Sequence, residues 1–220
     1  LHYGFENEVS FPCDVNHSQS VAKILKEFKE DELIIKADSS VDNGFEIVSH
    51  PHTLEEYKNK KWKYIFLRTM RKSASCGMHV HVNLASFTSF HLYKFTSFIH
   101  KHAKMMSRIS EREPNDYCQL YSDSSIAPMI KKYKKDGSQS DRYRRVNLSK
   151  KTVELRCFAG ATTYKQWMKN IEFIHALYEY SKNTSNLHLN PKTWKLFIAE
   201  HKKVYPNLYA FMSNIYVMPA

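Results

Sequence analysis

No run of apolar residues in this 220-residue sequence is long enough to span a bilayer, and no charged-then-apolar segment marks a leader. Neither a membrane protein nor an exported one is therefore expected, and the cytoplasm is the expected location. The four cysteines, Cys13, Cys76, Cys118 and Cys157, include no CxxC pair. In a chain of this size they read as reduced thiols of a cytosolic protein rather than as staples. There is no internal repeat and no low-complexity tract. Neither a P-loop nor a Rossmann glycine fingerprint occurs, so nucleotide phosphates would have to be held in some other way. The first residue is Leu1 rather than Met, as expected of a processed chain or a piece of a longer one.

What is present points to a folded globular protein. Hydrophobic residues make up 42% of the chain, with 13 Phe and 14 Tyr, enough to build a sizeable core. A single domain over residues 1–220 is expected. The formal charge of +11 favours acidic partners such as nucleotides, nucleic acid or an anionic polymer. Its densest clusters are Lys58–Lys63 and Lys131–Lys135, with Arg142, Arg144 and Arg145 close behind. The plainer reading of each single cluster is a solvated surface.

The most regular stretch is Cys76–Leu84. His79, His81 and Asn83 alternate with Met78, Val80, Val82 and Leu84, the period of a strand with one polar and one buried face. Its two histidines stand side by side, roughly 6.6 Å apart along the strand. Residues 2–11 repeat the design, with Gly4, Glu6, Glu8 and Ser10 against Tyr3, Phe5, Val9 and Phe11; Asn7 is the lapse on the apolar side. Leu33–Lys36 and Phe45–Ser49 read as strands around a turn marked by Asp38-Ser39-Ser40 and Asn43-Gly44. Arg142–Leu148 and Lys151–Phe158 form a last pair joined at Ser149-Lys150. Arg145 and Asn147 share one side of the first strand, and Thr152, Glu154 and Arg156 one side of the second.

Helices are expected from a start near Asn16–Ser20, over about Leu54–Lys61, and from a cap at Ser86–Thr88 through about Arg112. The buried stripe of the last runs through Phe90, Tyr93, Phe98, Ile99, His102, Met105, Met106 and Ile109. For Tyr64–Thr69 the periodicity does not decide. Residues 114–141 read as a long, partly irregular connection that could cover a site. From about residue 164 the chain is helical: Tyr164–Lys182, Lys192–Lys203, and a short piece beyond Pro206.

The fold class these patterns imply is α+β. A mainly antiparallel sheet carries helices on one face and an open polar trough on the other. Glu6, Glu8, Glu46 and Glu154 would converge there and repel one another unless cations neutralise them. Mg²⁺ or Mn²⁺ suits oxygen ligands, and an imidazole ligand tilts the choice towards Mn²⁺. Arg145 and Arg156 either pair internally with these carboxylates or grip phosphate oxygens. Carboxylates, metal and arginines together suit phosphoryl transfer.

In order along the chain come Gly4-Phe5-Glu6-Asn7-Glu8, Phe45-Glu46-Ile47-Val48-Ser49-His50-Pro51 and Gly77-Met78-His79-Val80-His81-Val82-Asn83. Arg145-Val146-Asn147 and Glu154-Leu155-Arg156-Cys157-Phe158 follow. This series resembles the motifs of the amidoligases, carboxylate–amine ligases that share the catalytic fold of glutamine synthetase and glutamate–cysteine ligase. The resemblance runs from about residue 3 to residue 165. It implies an antiparallel sheet cradling ATP and two or three divalent ions, with Glu6, Glu8, Glu46, His79 and Glu154 as metal ligands. It further implies Arg145 and Arg156 on phosphate, and His81, Asn83 and Asn147 near nucleotide or substrate. The chemistry it implies is transfer of the ATP γ-phosphate to a carboxylate and attack of an amine on the acyl phosphate. Small-molecule or peptide carboxylates and amines would be the substrates, and a phage origin fits the family. The resemblance supplies no base for the amine and no motif beyond residue 165.

Two other readings compete. One is a silent ligase-like fold whose basic surface binds nucleic acid or a virion or host partner. The other is a metal-dependent phosphotransferase or nuclease. The paired histidines permit the latter, but the arginine-rich trough suits a nucleotide better.

Overall fold

A computed structural model describes residues 1–219 except 42, 72–75, 138–141 and 150. Its centre is a six-stranded antiparallel sheet in the order β2-β3-β1-β4-β6-β5. The strands are β1 (Tyr3–Ser10), β2 (Leu33–Lys36), β3 (Gly44–Ser49), β4 (Gly77–Asn83), β5 (Val146–Leu148) and β6 (Thr152–Ala159). The helices are α1 (His17–Leu25), α2 (Leu54–Tyr57), α3 (Ser89–Lys101) and α4 (Ala103–Ser110). They continue with α5 (Asp123–Asp136), α6 (Tyr164–Asn183), α7 (Pro191–Glu200) and α8 (Pro206–Ile215). Among the described residues no helix is long and apolar enough to cross a membrane.

The alternation in β1, β4 and β6 does what period two requires. Phe5 turns to the back of the sheet and meets Trp62 and Trp167 edge-on, with centroids 5.9 and 5.2 Å away. Trp167 belongs to α6, the longest helix, and stacks on Trp62 at 5.7 Å. These rings are fully buried, and their burial is the largest single apolar contribution of this face. Asn7, the lapse in the pattern, is also fully buried. Its side-chain amide donates to the Ala161 carbonyl (2.9 Å) and accepts from the Ala161 amide (2.8 Å), tying β1 to the approach to α6. A polar residue is stable there because both its groups are paired.

Several expected elements differ. The helix expected from about Thr88 to Arg112 is two, α3 and α4, broken at His102 (φ −104°, ψ 40°). Phe98, Ile99, Met105, Met106 and Ile109 of the expected stripe are buried and Tyr93 and His102 partly so; at its start Leu92 and Phe95 take the interior, whereas Phe90 is 60% exposed. The charged helix over Leu54–Lys61 shrinks to α2, closed by a capping box between Thr53 and Glu56, followed by a 3₁₀ turn over Lys60–Ile65. That turn takes up the start of the undecided stretch. The irregular connection 114–141 contains the 14-residue α5, which buries Ile126, Ile130 and Tyr133. Lys150, expected to join the last two strands with Ser149, lies outside the described residues.

The strand expected over Arg142–Leu148 begins only at Val146. Pairing between β4 and β6 slips by one residue between Met78 and Val80. Arg156 and Cys157 of β6 therefore stand against His79 alone, a bulge that re-aims side chains next to the site. Upstream of Val146 the Arg145 amide leaves the ladder and donates to the Gln119 carbonyl (2.9 Å). The Arg145 carbonyl still accepts from the Arg156 amide (2.9 Å), but the Arg145 guanidinium is taken by Ser107 of α4 and the Arg112 carbonyl and does not join Asn147 at Glu154.

Candidate active site

The sheet register draws the polar residues into adjoining rows. Glu8 stands opposite Glu46, and Glu6 opposite His79. His81 stands opposite Glu154, and Glu154 opposite Asn147. Side chains then close the rows into two clusters. In the first, one ligand atom each from Glu6, His81 and Glu154 lie within 4.8 Å of one another; in the second the same holds for Glu8, Asp38 and Glu46.

The first cluster is tightly cross-braced. His79 Nδ1 lies 3.2 Å from Glu6 and 3.6 Å from Glu154, and His81 Nε2 lies 3.3 Å from Glu6. Asn147 Nδ2 donates to Glu154 Oε2 (2.7 Å), and Arg156 Nη1 donates to Glu154 Oε1 (2.6 Å). In the second cluster the Gly77 amide donates to Glu8 Oε2 (2.5 Å), and Lys36 pairs with Glu46 at 3.9 Å.

The electrostatics differ between the clusters. Burial alone would raise the Glu6 carboxyl, but hydrogen bonds and charge from His79 and His81 outweigh it and hold the group well below the usual carboxylate range. Burial would lower His81, yet the Glu6 and Glu154 carboxylates raise it. Glu46 is pushed up to about 7, first by burial and then by the charge of Glu6, with Asp38 and Glu8 adding to it and Lys36 opposing. Lys36, 3.9 Å away, does not offset burial and the neighbouring carboxylates.

Both clusters fit hard divalent cations. Each offers three convergent donors with at least two carboxylates, the chemistry Mg²⁺ and Mn²⁺ take. His81 Nε2 is buried and faces the Glu6 carboxylate at 3.3 Å, so a cation held by this donor set would replace a charge pairing that the imidazole already makes.

Two cavities flank this floor. The larger, 820 Å³, is lined by Glu6, His81, Asn83, Thr152, Lys134 and Lys151 among others, with apolar walls that include Val48, Pro51 and Leu84. The smaller, 270 Å³, is lined by Glu8, His79, Arg112 and Arg156 together with residues from the chain after α4.

Of the residues singled out from sequence, Glu6, His79, His81, Asn147, Glu154 and Arg156 meet in one cluster. Glu8 and Glu46 meet in the other. Asn83 stands apart at the rim of the larger cavity, its side chain accepting from the Ala85 amide (2.9 Å). Arg145 lines neither cavity. It is fully buried and donates to Ser107 Oγ (2.8 Å) and the Arg112 carbonyl (3.3 Å). Asp38, Arg112 and Lys151 were not singled out as site residues, and Lys134 entered only as part of the basic cluster Lys131–Lys135. Asp38 did carry a signal, since its turn separates β2 from β3, but that signal spoke of chain reversal and not of ligation.

The fold is α+β, with a cross-braced cluster of acidic and imidazole side chains on an antiparallel sheet and a cavity on either side of it. The chain matches the family model described as "Putative amidoligase enzyme" over residues 14–178, and it belongs to that family. The matched span holds Glu46, His79, His81, Asn147, Glu154 and Arg156 and begins after Glu6 and Glu8. No curated protein matches the chain.

Proposed function

We propose that the protein is an ATP- and divalent-cation-dependent ligase that joins a carboxylate to an amine through an acyl phosphate. The observation that carries this reading is the pair of three-donor clusters at the boundary between two cavities. Glu6, His81 and Glu154 would hold one cation and Glu8, Asp38 and Glu46 another, with His79 bracing Glu6 and Glu154. Mg²⁺ or Mn²⁺ bound there would neutralise the charge of the transferring phosphate.

The larger cavity suits the nucleotide. Its apolar wall takes a base, while Lys134 and Lys151 bring cations near the anionic tail. A carboxylate oxygen attacks the γ-phosphorus, the bond to the β–γ bridging oxygen breaks, and ADP leaves. The amine nitrogen then attacks the acyl carbon, the acyl C–O bond breaks, and phosphate leaves with that oxygen. Arg156, which also lines the smaller cavity, keeps Glu154 oriented through this sequence. Small or peptide carboxylates and amines are the substrate class this chemistry serves, in a cytoplasmic setting where ATP is supplied.

The test is thermal melting with millimolar ATP and Mn²⁺ or Mg²⁺. The pair raises Tm of the wild type by mass action, and Glu6→Ala or Glu154→Ala removes the rise. A melting curve indifferent to nucleotide and metal together would contradict the ligase reading. Salt-sensitive capture of RNA or DNA that survives Glu6→Ala would favour a basic binding protein instead.

A further inference from the structure

We propose that Arg112 is the residue that binds the substrate carboxylate in the smaller cavity, and that Arg145 is a positioning residue acting through it. This rests on the ligase reading for the identity of the substrate, and it deepens that reading by naming the chamber and its fork.

The backbone at Arg112 is built to a fixed place. Glu111 adopts φ 57°, a left-handed turn that ends α4 and swings the chain over the sheet. The Arg112 carbonyl then accepts from Ser110 Oγ (3.3 Å) and from Arg145 Nη2 (3.3 Å). Arg145, fully buried and tied also to Ser107 of α4, thus holds the main chain of a residue that does reach the cavity. That accounts for an arginine in the sequence motif whose own guanidinium stays out of the site.

The Arg112 side chain has spare donors. Nη1 reaches the Phe158 carbonyl at 3.3 Å, while Nε is buried and meets no partner among the described residues. No carboxylate among those residues pairs with it. The guanidinium lies so close to the start of β4 that a methyl group on Gly77 would come within 2.3 Å of Nη1. The same point is 3.3 Å from His79 Nε2, so a glycine here gives the fork room to lie against the metal-side histidine. Across the cavity, Arg156 spends Nη1 on Glu154 and has a second buried, unpartnered Nε.

The 270 Å³ chamber sets the guanidinium groups of Arg112 and Arg156 beside the carboxylates of Glu8 and Asp116; with Glu8 taken up by a cation the arginines prevail, and a carboxylate is what a fork of parallel N–H groups fits best. The chamber borders Glu8 and His79, so a carboxylate held by Arg112 lies beside the floor where the phosphate would arrive.

The full-length chain is melted with Mn²⁺ and a non-hydrolysable ATP analogue held constant while succinate, glutarate or L-glutamate is titrated, with inorganic phosphate as the anion control. At least one carboxylate raises Tm saturably in the wild type. Arg112→Ala weakens its apparent Kd at least about tenfold and leaves the nucleotide-and-Mn²⁺ rise intact. Arg112→Lys, which keeps the charge and loses the fork, falls between the two. Arg145→Lys, which cannot reach both Ser107 and the Arg112 carbonyl, weakens carboxylate binding with the nucleotide rise retained; unchanged carboxylate binding overturns the positioning role.

The carboxylate assignment is overturned by any of three results. These are equal carboxylate binding in Arg112→Ala, a wild type that responds to nucleotide but to no carboxylate, and a response that phosphate reproduces in full. A wild type indifferent to ATP and Mn²⁺ that still binds carboxylate through Arg112 would sink the ligase reading and leave this chamber supported.

Discussion

Glu154 illustrates how much one side chain can hold together. Its two oxygens accept from Asn147 and Arg156 and approach His79, so Glu154→Ala strands three partners at once. Removing one partner of a buried, charge-assisted network costs about 3–5 kcal/mol, and a Tm lowered by several degrees in the absence of any ligand is expected. Glu154→Gln keeps the shape and one acceptor, and its unliganded Tm should fall less. A second residue-scale expectation concerns acid. His100 is buried, its Nδ1 accepts from the Tyr121 amide (3.0 Å), and burial with the charges of Arg145 and Arg144 lowers its pKa from 6.5 to about 3. The folded state keeps it neutral while the unfolded chain binds a proton below about 6.5. Its contribution is complete above that pH and drains away as pH falls from 6.5 towards 3. The urea midpoint of His100→Asn, whose Oδ1 can accept from the same amide, should fall less steeply than that of the wild type between pH 6.5 and 4. Parallel slopes would refute this.

At the scale of elements, the strands were legible and several helices were not, for identifiable reasons. β1, β4 and β6 each carry one polar and one apolar face, so alternation gave both their existence and the side on which Glu6, Glu8, His79, His81 and Glu154 lie. The break at His102 has no glycine or proline to announce it. The helix α5 was obscured by Pro128 inside it and by the serines before it, although Ile126, Ile130 and Tyr133 keep helical spacing. Arg145 was misplaced because residue types do not show that Ser107 and the Arg112 carbonyl, far along the chain, would take its guanidinium. Asp38 and Arg112 arrive from turns, where sequence shows that the chain reverses but not what its side chains then reach. Two element-scale predictions follow from the bonds themselves. Asn7→Ala leaves the Ala161 amide and carbonyl buried and unpaired, and should cost about 1–3 kcal/mol in a denaturant titration. Tyr133 pins α5 by donating to the Ser149 carbonyl (2.5 Å), one residue from Lys134 at the larger cavity. Tyr133→Phe should speed amide exchange across α5 and weaken nucleotide binding without altering exchange in β4.

For the whole molecule, the account joins a basic chain to an acidic floor. The net charge of +11 is carried largely by surface lysines and arginines, while the carboxylates that matter are gathered on one face of the sheet. On the proposed ligase reading, such a field would draw anionic ligands towards a floor that bound cations neutralise. The most direct test is a crystal grown with Mn²⁺ and a non-hydrolysable ATP analogue, read by anomalous scattering at the manganese edge. The account predicts anomalous peaks within the Glu6–His81–Glu154 and Glu8–Asp38–Glu46 clusters, with nucleotide density in the 820 Å³ cavity. Nucleotide bound elsewhere, or manganese absent from both clusters, would contradict it.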